Sequence, residues 1–243
     1  MEKLIKLCLI IQISISSFLL QAQQKLSWDY PIKPGTEQWK AFQTHDEMLK
    51  ACQIPDEIIS NLKTKDLIET IFNYPLLAEV VTYNSLQKGM DKVTSNFNGF
   101  KTLFDRKDAI QELLYKYETM NPISVSTFRE SHKKGEYMYK MRFLELIVSQ
   151  DNLKDQWDEK SSKKFIKLLL KNRDFQKSDV KTFGEWADIP MAYSAGNVLK
   201  YTNQKEIVEN EKSSFKKFMD TSLPKNKDDL EQIFIIASKY VKQ

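Results

Sequence analysis

The sequence predicts an all-α protein, and three observations carry that reading. Apolar residues recur at helical spacing along most of the chain, in stripes one face of a 3.6-residue period wide. No stretch sustains the period-two alternation of a strand, and no Asn-Gly or Asp-Gly turn links two apolar runs as in a hairpin. Six glycines and seven prolines among 243 residues are too few for the many tight turns that sandwiches and barrels need. The expected architecture is short antiparallel helix pairs, arranged either as an α-solenoid-like stack or as an irregular helical bundle. No internal repeat of about 34 to 47 residues argues for the stack.

Taken in order, residues 1–22 have the layout of a secretory signal peptide. Lys3 and Lys6 form a positive n-region, Leu7 through Leu20 is uncharged and largely apolar, and Ala22 offers a small residue before a cleavage point at Gln23. The run is shorter than the ~20 apolar residues of a membrane span, and no stop-transfer pattern follows, so no integral membrane segment is expected after cleavage. The expected location is exported, periplasmic or extracellular. Residues 23–35 read as an extended strap: Trp28, Tyr30 and Ile32 alternate with polar or proline positions, and Pro31 and Pro34 disfavour helix at the residues before them. Trp28 and Tyr30 are expected to anchor the strap in grooves of the helical body.

Helical signals begin at Thr36. Thr44-His45-Asp46-Glu47 matches a capping box, Pro55-Asp56-Glu57 suits a first turn, and Thr64 is a candidate cap for the next element. An i, i+1, i+4, i+5 stripe runs through Leu67, Ile68, Ile71 and Phe72, returns at Leu76, Leu77, Val80 and Val81, and returns again at Ile110, Leu113, Leu114 and Tyr117. Asn98-Gly99 reads as a helix end. A longer helix after Pro122 closes near Val148, another is marked by Phe165, Ile166, Leu168 and Leu169, and the last by Leu230 to Val241. Asn121 to Ser126 is the candidate seam between an N-terminal helical group, 36–120, and a C-terminal one, 127–243, within one continuous domain.

Several segments of the first half are distinctive: Tyr30-Pro31-Ile32-Lys33-Pro34-Gly35-Thr36 with Trp39, Ala51-Cys52-Gln53-Ile54-Pro55, Asn73-Tyr74-Pro75-Leu76-Leu77, and Asn96-Phe97-Asn98 leading into Arg106-Lys107-Asp108-Ala109. Together they resemble an N-terminal signature of uncharacterised exported bacterial helical proteins, over roughly residues 28 to 120. The resemblance implies a helical fold and export. It carries over no catalytic residue.

Composition excludes more than it proposes. A hydrophobic fraction of 41% and an aromatic fraction of 12% suffice for a packed core. Removal of residues 1–22 leaves 35 basic and 32 acidic side chains, too weak a field to imply nucleic acid. Only Arg106, Arg129, Arg142 and Arg173 are arginines, and lysine lacks the bidentate fork used on phosphates and guanine edges. No nucleic-acid partner is expected.

Catalytic and metal chemistry find little to build on. The histidines are His45 and His132, and after loss of Cys8 the one cysteine is Cys52. On a helix, His45 and Cys52 share a stripe, but seven residues rise ~10 Å, too far for an imidazole to activate the thiol directly. Among Leu49, Ala51 and Ile54, the thiol reads as a small buried hydrophobe. No zinc, calcium or phosphate-loop motif is present, so neither a metal nor a cofactor is expected.

Two features read as surfaces. Lys160, Lys163, Lys164, Lys167 and Lys171 fall on one face of a helix, which suits an acidic surface or polysaccharide and equally a solvated lysine face over a buried apolar stripe. Trp186, just before the helix-disfavouring step at Pro190, is a third candidate groove aromatic beside Trp28 and Tyr30, or a plug between helices. The leading expectation is an exported binding or scaffold protein that presents a groove or helix-lined face to another envelope or secreted component. The alternatives are a hydrolase on an α-helical scaffold, acting on glycan or peptide through carboxylates the sequence does not single out, and an electrostatic adaptor using the lysine face.

Overall fold

The computed structural model describes residues 27–185, 187–210 and 212–243, so the signal peptide assigned to 1–22, the start of the strap and Trp186 lie outside the described residues. Among those residues there are seventeen helical segments and no strand. The protein is all-α.

From residue 27 the chain leads in along the helix Thr64–Phe72. The Trp28 backbone N–H donates to Thr70 Oγ1 at 3.0 Å and the Tyr30 hydroxyl to the Thr70 carbonyl at 3.3 Å. Gly35 turns the chain with φ +90°, a conformation that favours glycine. Thr36 then caps α1 (Glu37–Lys40) and Thr44 caps α2 (His45–Ala51). The second half of the Thr44 capping box falls one residue upstream, where Glu47 accepts from the Gln43 N–H at 2.8 Å. Pro55 precedes α3 (Asp56–Ile59).

The next helix, α4 (Thr64–Phe72), is capped at Lys63, not at Thr64. Thr64 is itself the first helical residue, and its hydroxyl donates to Asp108 Oδ1 at 2.7 Å. Leu67, Ile68, Ile71 and Phe72 are buried together, as their spacing requires. The stripe expected at Leu76 to Val81 is a 3₁₀ segment, η1 (Leu77–Thr82). Three residues per turn put Leu77 and Val80 on one inward face and turn Val81 out, 58% exposed.

Helix α5 (Leu86–Asn96) lies against η1, and α6 (Asn98–Phe104) follows after a break at Phe97. That break is clamped by side chains: Asn98 Nδ2 donates to the Ile54 carbonyl at 2.7 Å, Asn98 Oδ1 accepts from the Ile54 N–H at 3.1 Å, and Gln53 Oε1 accepts from the Asn98 N–H at 3.0 Å. After α7 (Ala109–Thr119), the candidate seam is a second 3₁₀ segment, η2 (Pro122–Thr127), which packs on the elements that follow. These are α8 (Ser131–Val148), η3 (Asp151–Gln156) and α9 (Glu159–Ser178). Asp158 and Ser161 form a complete capping box at the start of α9.

The chain closes with α10 (Val180–Phe183), α11 (Asp188–Tyr201), α12 (Lys205–Val208), α13 (Ser213–Thr221) and α14 (Lys227–Tyr240). Pro190 does not break the chain just before it. It sits in the first turn of α11, where a missing N–H costs no intrahelical bond. Helix α11 is the hub, buried continuously from Pro190 to Leu199 and in contact with α8, α9, α12, α13, α14 and η3. A solenoid unit touches only its neighbours in the stack, so the architecture is the irregular bundle. One buried cluster runs from Tyr30 to Tyr240 across the seam. A satellite of Val125, Phe183 and Ala187 closes over η2.

Two core features generate predictions. A Cβ added at Gly89 would lie 1.9 Å from the Val80 carbonyl oxygen, backbone against backbone. Gly89→Ala is therefore expected to destabilise by about 1–3 kcal/mol, although alanine is the better helix former by ~1 kcal/mol; an unchanged urea midpoint would mean that η1 shifts freely. The second feature is Glu145, 1% exposed in α8. It accepts from the Tyr117 hydroxyl at 2.8 Å through Oε1, while Oε2 is buried with no partner among the described residues. Burial pushes its carboxyl up to about 8, opposed by the Tyr117 hydrogen bond and the Arg142 charge. The native state thus keeps a proton that the unfolded chain releases near its ordinary value of ~4.3. The stabilisation is complete below that value and is lost as pH rises through about 8. Urea unfolding of the native chain is expected to weaken by on the order of a few kcal/mol across that window, and Glu145→Gln to flatten the dependence; parallel profiles would contradict the assignment.

Candidate functional site

Two cavities among the described residues are of similar size. The first, about 320 Å³, opens beside Gly184 between the end of α9 and α14. Its charges are occupied with one another. Arg173 donates to Asp188 at 3.0 and 3.1 Å and to Glu231, and its guanidinium lies 3.7 Å from the Phe234 ring centroid. Lys177 pairs with Glu231 at 3.2 Å and Lys227 with Glu185 at 3.5 Å. This cleft is a structural ion-pair network.

The second, about 300 Å³, lies where α5, η3 and α13 meet around the hub helix α11. Its floor is buried and polar: Tyr193 and Asn197 from α11, with Ser149 and Gln150 from the turn after α8. The Tyr193 hydroxyl donates to Gln87 Oε1 at 2.7 Å, and Gln87 Nε2 donates to Asp91 Oδ1 at 2.6 Å and to Gln150 Oε1 at 3.0 Å. Gln150 Nε2 is held in turn by the Leu146 carbonyl at 2.7 Å. Asn197 lies close enough to the Tyr193 hydroxyl to favour its ionised form. Tyr193, Gln87 and Gln150 are thus oriented by one another before any ligand arrives, and a network satisfied in this way is rigid.

The rim is charged and exposed, with Asp91 on α5, Asp151 on η3, Asp220 on α13 and Lys200 on α11. The Tyr201 hydroxyl lies 2.8 Å from Asp151 Oδ1 and 2.6 Å from the Ser149 carbonyl, two acceptors for its one proton. Asp220 and Lys200 have neither an ion pair nor a side-chain hydrogen bond among the described residues. The field of the rim reaches the floor. Burial first, and then the charges of Asp151, Asp91 and Asp220, push the Tyr193 phenol up to about 12, against the lowering effect of Asn197. Chemically, the arrangement offers amide and hydroxyl groups below and a carboxylate excess above.

None of the residues singled out in the sequence lines this pocket. Tyr30 is 2% exposed and belongs to an aromatic cluster with Tyr74 and Phe97, ring centroids 6.1 and 6.5 Å away; it is core, not groove. Trp28 is half-buried against that core, with its indole N–H buried and unpartnered among the described residues. Trp186 lies outside the described residues. The lysine face divides. Lys163 is tied to Glu159 at 2.6 Å and lies over the Tyr240 ring, and Lys164 pairs with Glu118 at 2.8 Å. Lys160, Lys167 and Lys171 are exposed on α9 and form no ion pair among the described residues. The missed signal was the trio Tyr193, Asn197 and Lys200, at i, i+4 and i+7, a polar stripe inside a run that otherwise reads as apolar. Among the described residues no group of three or more His, Cys, Asp or Glu side chains is placed to hold a metal ion, and no helix is long and apolar enough to cross a membrane.

Comparison with known proteins returns no match to this chain among protein-family models, curated protein sequences or solved structures.

His45 and Cys52 go separate ways. His45 Nε2 lies 2.7 Å from Glu79 Oε1 at the surface, whereas Cys52 is fully buried. Burial, with the Glu79 charge second, pushes the thiol up to about 11, so no thiolate is available near neutral pH. Iodoacetamide is expected to leave Cys52 unmodified in the native protein and to label it fully in denaturant; rapid native labelling, read by intact mass, would reopen the thiol chemistry.

Proposed function

We propose that the protein is an exported, non-catalytic binding or scaffold protein. It works in the periplasm or outside the cell, and it engages another envelope or secreted component through the polar pocket around α11. The observation that supports this reading most is the floor of Tyr193, Gln87, Gln150 and Asn197. The first three are fixed by mutual hydrogen bonds, and the four present donors and acceptors rather than a nucleophile with its base. Such a floor selects a ligand that completes its bonds and rejects one that leaves them unmade. Lys160, Lys167 and Lys171 on α9, without an ion pair among the described residues, supply a separate face for an acidic surface or polysaccharide.

The rim favours one second reading. Three aspartates around one pocket are the raw material of a glycosidase or peptidase, in which one carboxyl acts as acid and another as base or nucleophile. A single experiment separates the two readings. Residues 23–243 are immobilised and exposed to envelope and culture-supernatant extracts of the native host, alongside a variant carrying Asp91→Asn, Asp151→Asn and Asp220→Asn. A saturable partner retained by the native chain and lost on the variant is the expected outcome. Release of glycan or peptide fragments by the native chain, abolished in the variant, would establish the hydrolase instead.

A further inference from the structure

The polar pocket does not end at its rim. A second cleft of about 200 Å³ adjoins it and shares three lining residues with it, Lys200, Met219 and Asp220. The far side of this cleft is apolar, formed by Ile207 and Val208 of α12 and by Phe215 of α13. Ile207 and Phe215 are buried, whereas Val208 is 55% exposed on a wall that faces open space. Met219 is the divider, and its position depends on a glycine: a Cβ at Gly196 would lie 2.6 Å from its sulfur. Polar cavity and apolar cleft are thus two halves of one groove, joined over Met219.

Charge decides what the groove takes. Across both halves three carboxylates, Asp91, Asp151 and Asp220, outnumber two ammonium groups, Lys200 at the junction and Lys216 in the cleft. Two of the carboxylates are already oriented, Asp91 by Gln87 and Asp151 by Tyr201. Asp220 sits at the junction of the two halves without a hydrogen bond or an ion pair among the described residues. Asn197, 5% exposed, lines the same cavity, and the Tyr193 hydroxyl is the one side-chain partner found for its amide among the described residues, which leaves most of the hydrogen-bonding capacity of that amide unused.

We propose that the groove is a bipartite site for a primary ammonium compound bearing an apolar substituent. The ammonium lies between Asp220 and the oriented carboxylates, and the substituent fills the cleft against Val208, Phe215 and Met219. This assignment rests on the binding reading above and gives it a ligand class. A free amine and the amino terminus of a peptide with an apolar first residue present the same chemistry. Two independent contacts, one ionic and one apolar, make the affinity depend on both parts of the ligand at once.

The test uses three probes titrated into residues 23–243 at low salt and followed by calorimetry and amide chemical shifts. 2-Phenylethylamine carries both parts, ethylamine only the charge, and 2-phenylethanol only the apolar group. The first is expected to bind at least about tenfold more tightly than either of the others and to shift amides of α11 and α13. Asp220→Asn and Val208→Glu, both at exposed positions, are each expected to weaken it about tenfold with the thermal midpoint unchanged. Tighter binding of the peptide Phe-Gly-Gly than of 2-phenylethylamine would identify the peptide terminus as the source of the chemistry, and weaker binding the free amine. Ethylamine binding as tightly as 2-phenylethylamine would overturn the bipartite site and leave the polar-pocket reading intact. So would silence of every probe while the captured partner is still lost on the aspartate variant. 2-Phenylethylamine bound in the groove with nothing captured would overturn the macromolecular partner and leave this site standing.

Discussion

The constraint on which the rest of the structure depends is the burial of α11 on every side. Ten consecutive residues, Pro190 to Leu199, are withdrawn from water. A helix can be surrounded in this way only if its neighbours approach closely all round, which requires small side chains. Ala192, Ser194, Ala195 and Gly196 provide them. At Gly196 the approach is so close that Met219 of α13 occupies the space a Cβ would fill. The closeness matters because Cys52 is the only cysteine among the described residues and is unpaired. Packing must therefore supply the stabilisation that a disulfide would otherwise add. Each large aliphatic side chain buried around the hub contributes about 1.5–3 kcal/mol, against a backbone ordering cost of about 1–2 kcal/mol per residue.

The same burial creates the pocket. A helix surrounded on all sides must satisfy every polar group it carries, since an unpaired one in the interior costs about 1–3 kcal/mol. Ser194 does so locally, donating to the Met191 carbonyl at 3.1 Å. Tyr193 cannot, and its hydroxyl reaches across to Gln87 on α5, 106 positions away in sequence. That bond draws in Gln150 and Asp91, and the four elements α5, η3, α11 and α13 leave a polar gap where their ends converge. Core and site are in this sense one construction: the polar floor is the price of placing Tyr193 and Asn197 on a helix with no solvent face.

This origin explains which parts were legible in the sequence. Helices with a clear apolar stripe read correctly, as at 64–72, 159–178 and 227–240, because periodicity acts over a few residues. Failures occurred where a distant partner decides. Thr64 looked like a cap and is instead the first helical residue, with its hydroxyl on Asp108. The stripe at Leu76 to Val81 suited an α-helix but winds as 3₁₀ where α5 presses Gly89 onto the Val80 carbonyl. The choice between stack and bundle was undecidable for the same reason, since it depends on which helices touch α11. The site was less legible still. The lysines of 160–171 attract attention because they cluster along the chain, whereas the pocket assembles residues from separate segments between positions 87 and 220. Tyr193, Asn197 and Lys200 share a helical spacing, as do Gln87 and Asp91, but the apolar run around the first three hides it.

The charge distribution imposes a last constraint on how such a pocket can work. A net charge of +4 conceals two separate patches, lysines along α9 and aspartates around the groove, and no lysine of the stripe lines the groove. At physiological ionic strength exposed charges are screened over ~8 Å, so an acidic rim open to water cannot draw a cation from far away. Its effect is confined to contact distance, where the ligand itself displaces solvent. Discrimination at the polar end must then come from the buried floor. A rim carboxylate left unpaired stays hydrated and costs little, whereas Asn197 or Tyr193 covered by an apolar group loses its water and gains nothing in return. On the proposed reading the rim supplies contact charge and the floor adds discrimination to that of the apolar cleft.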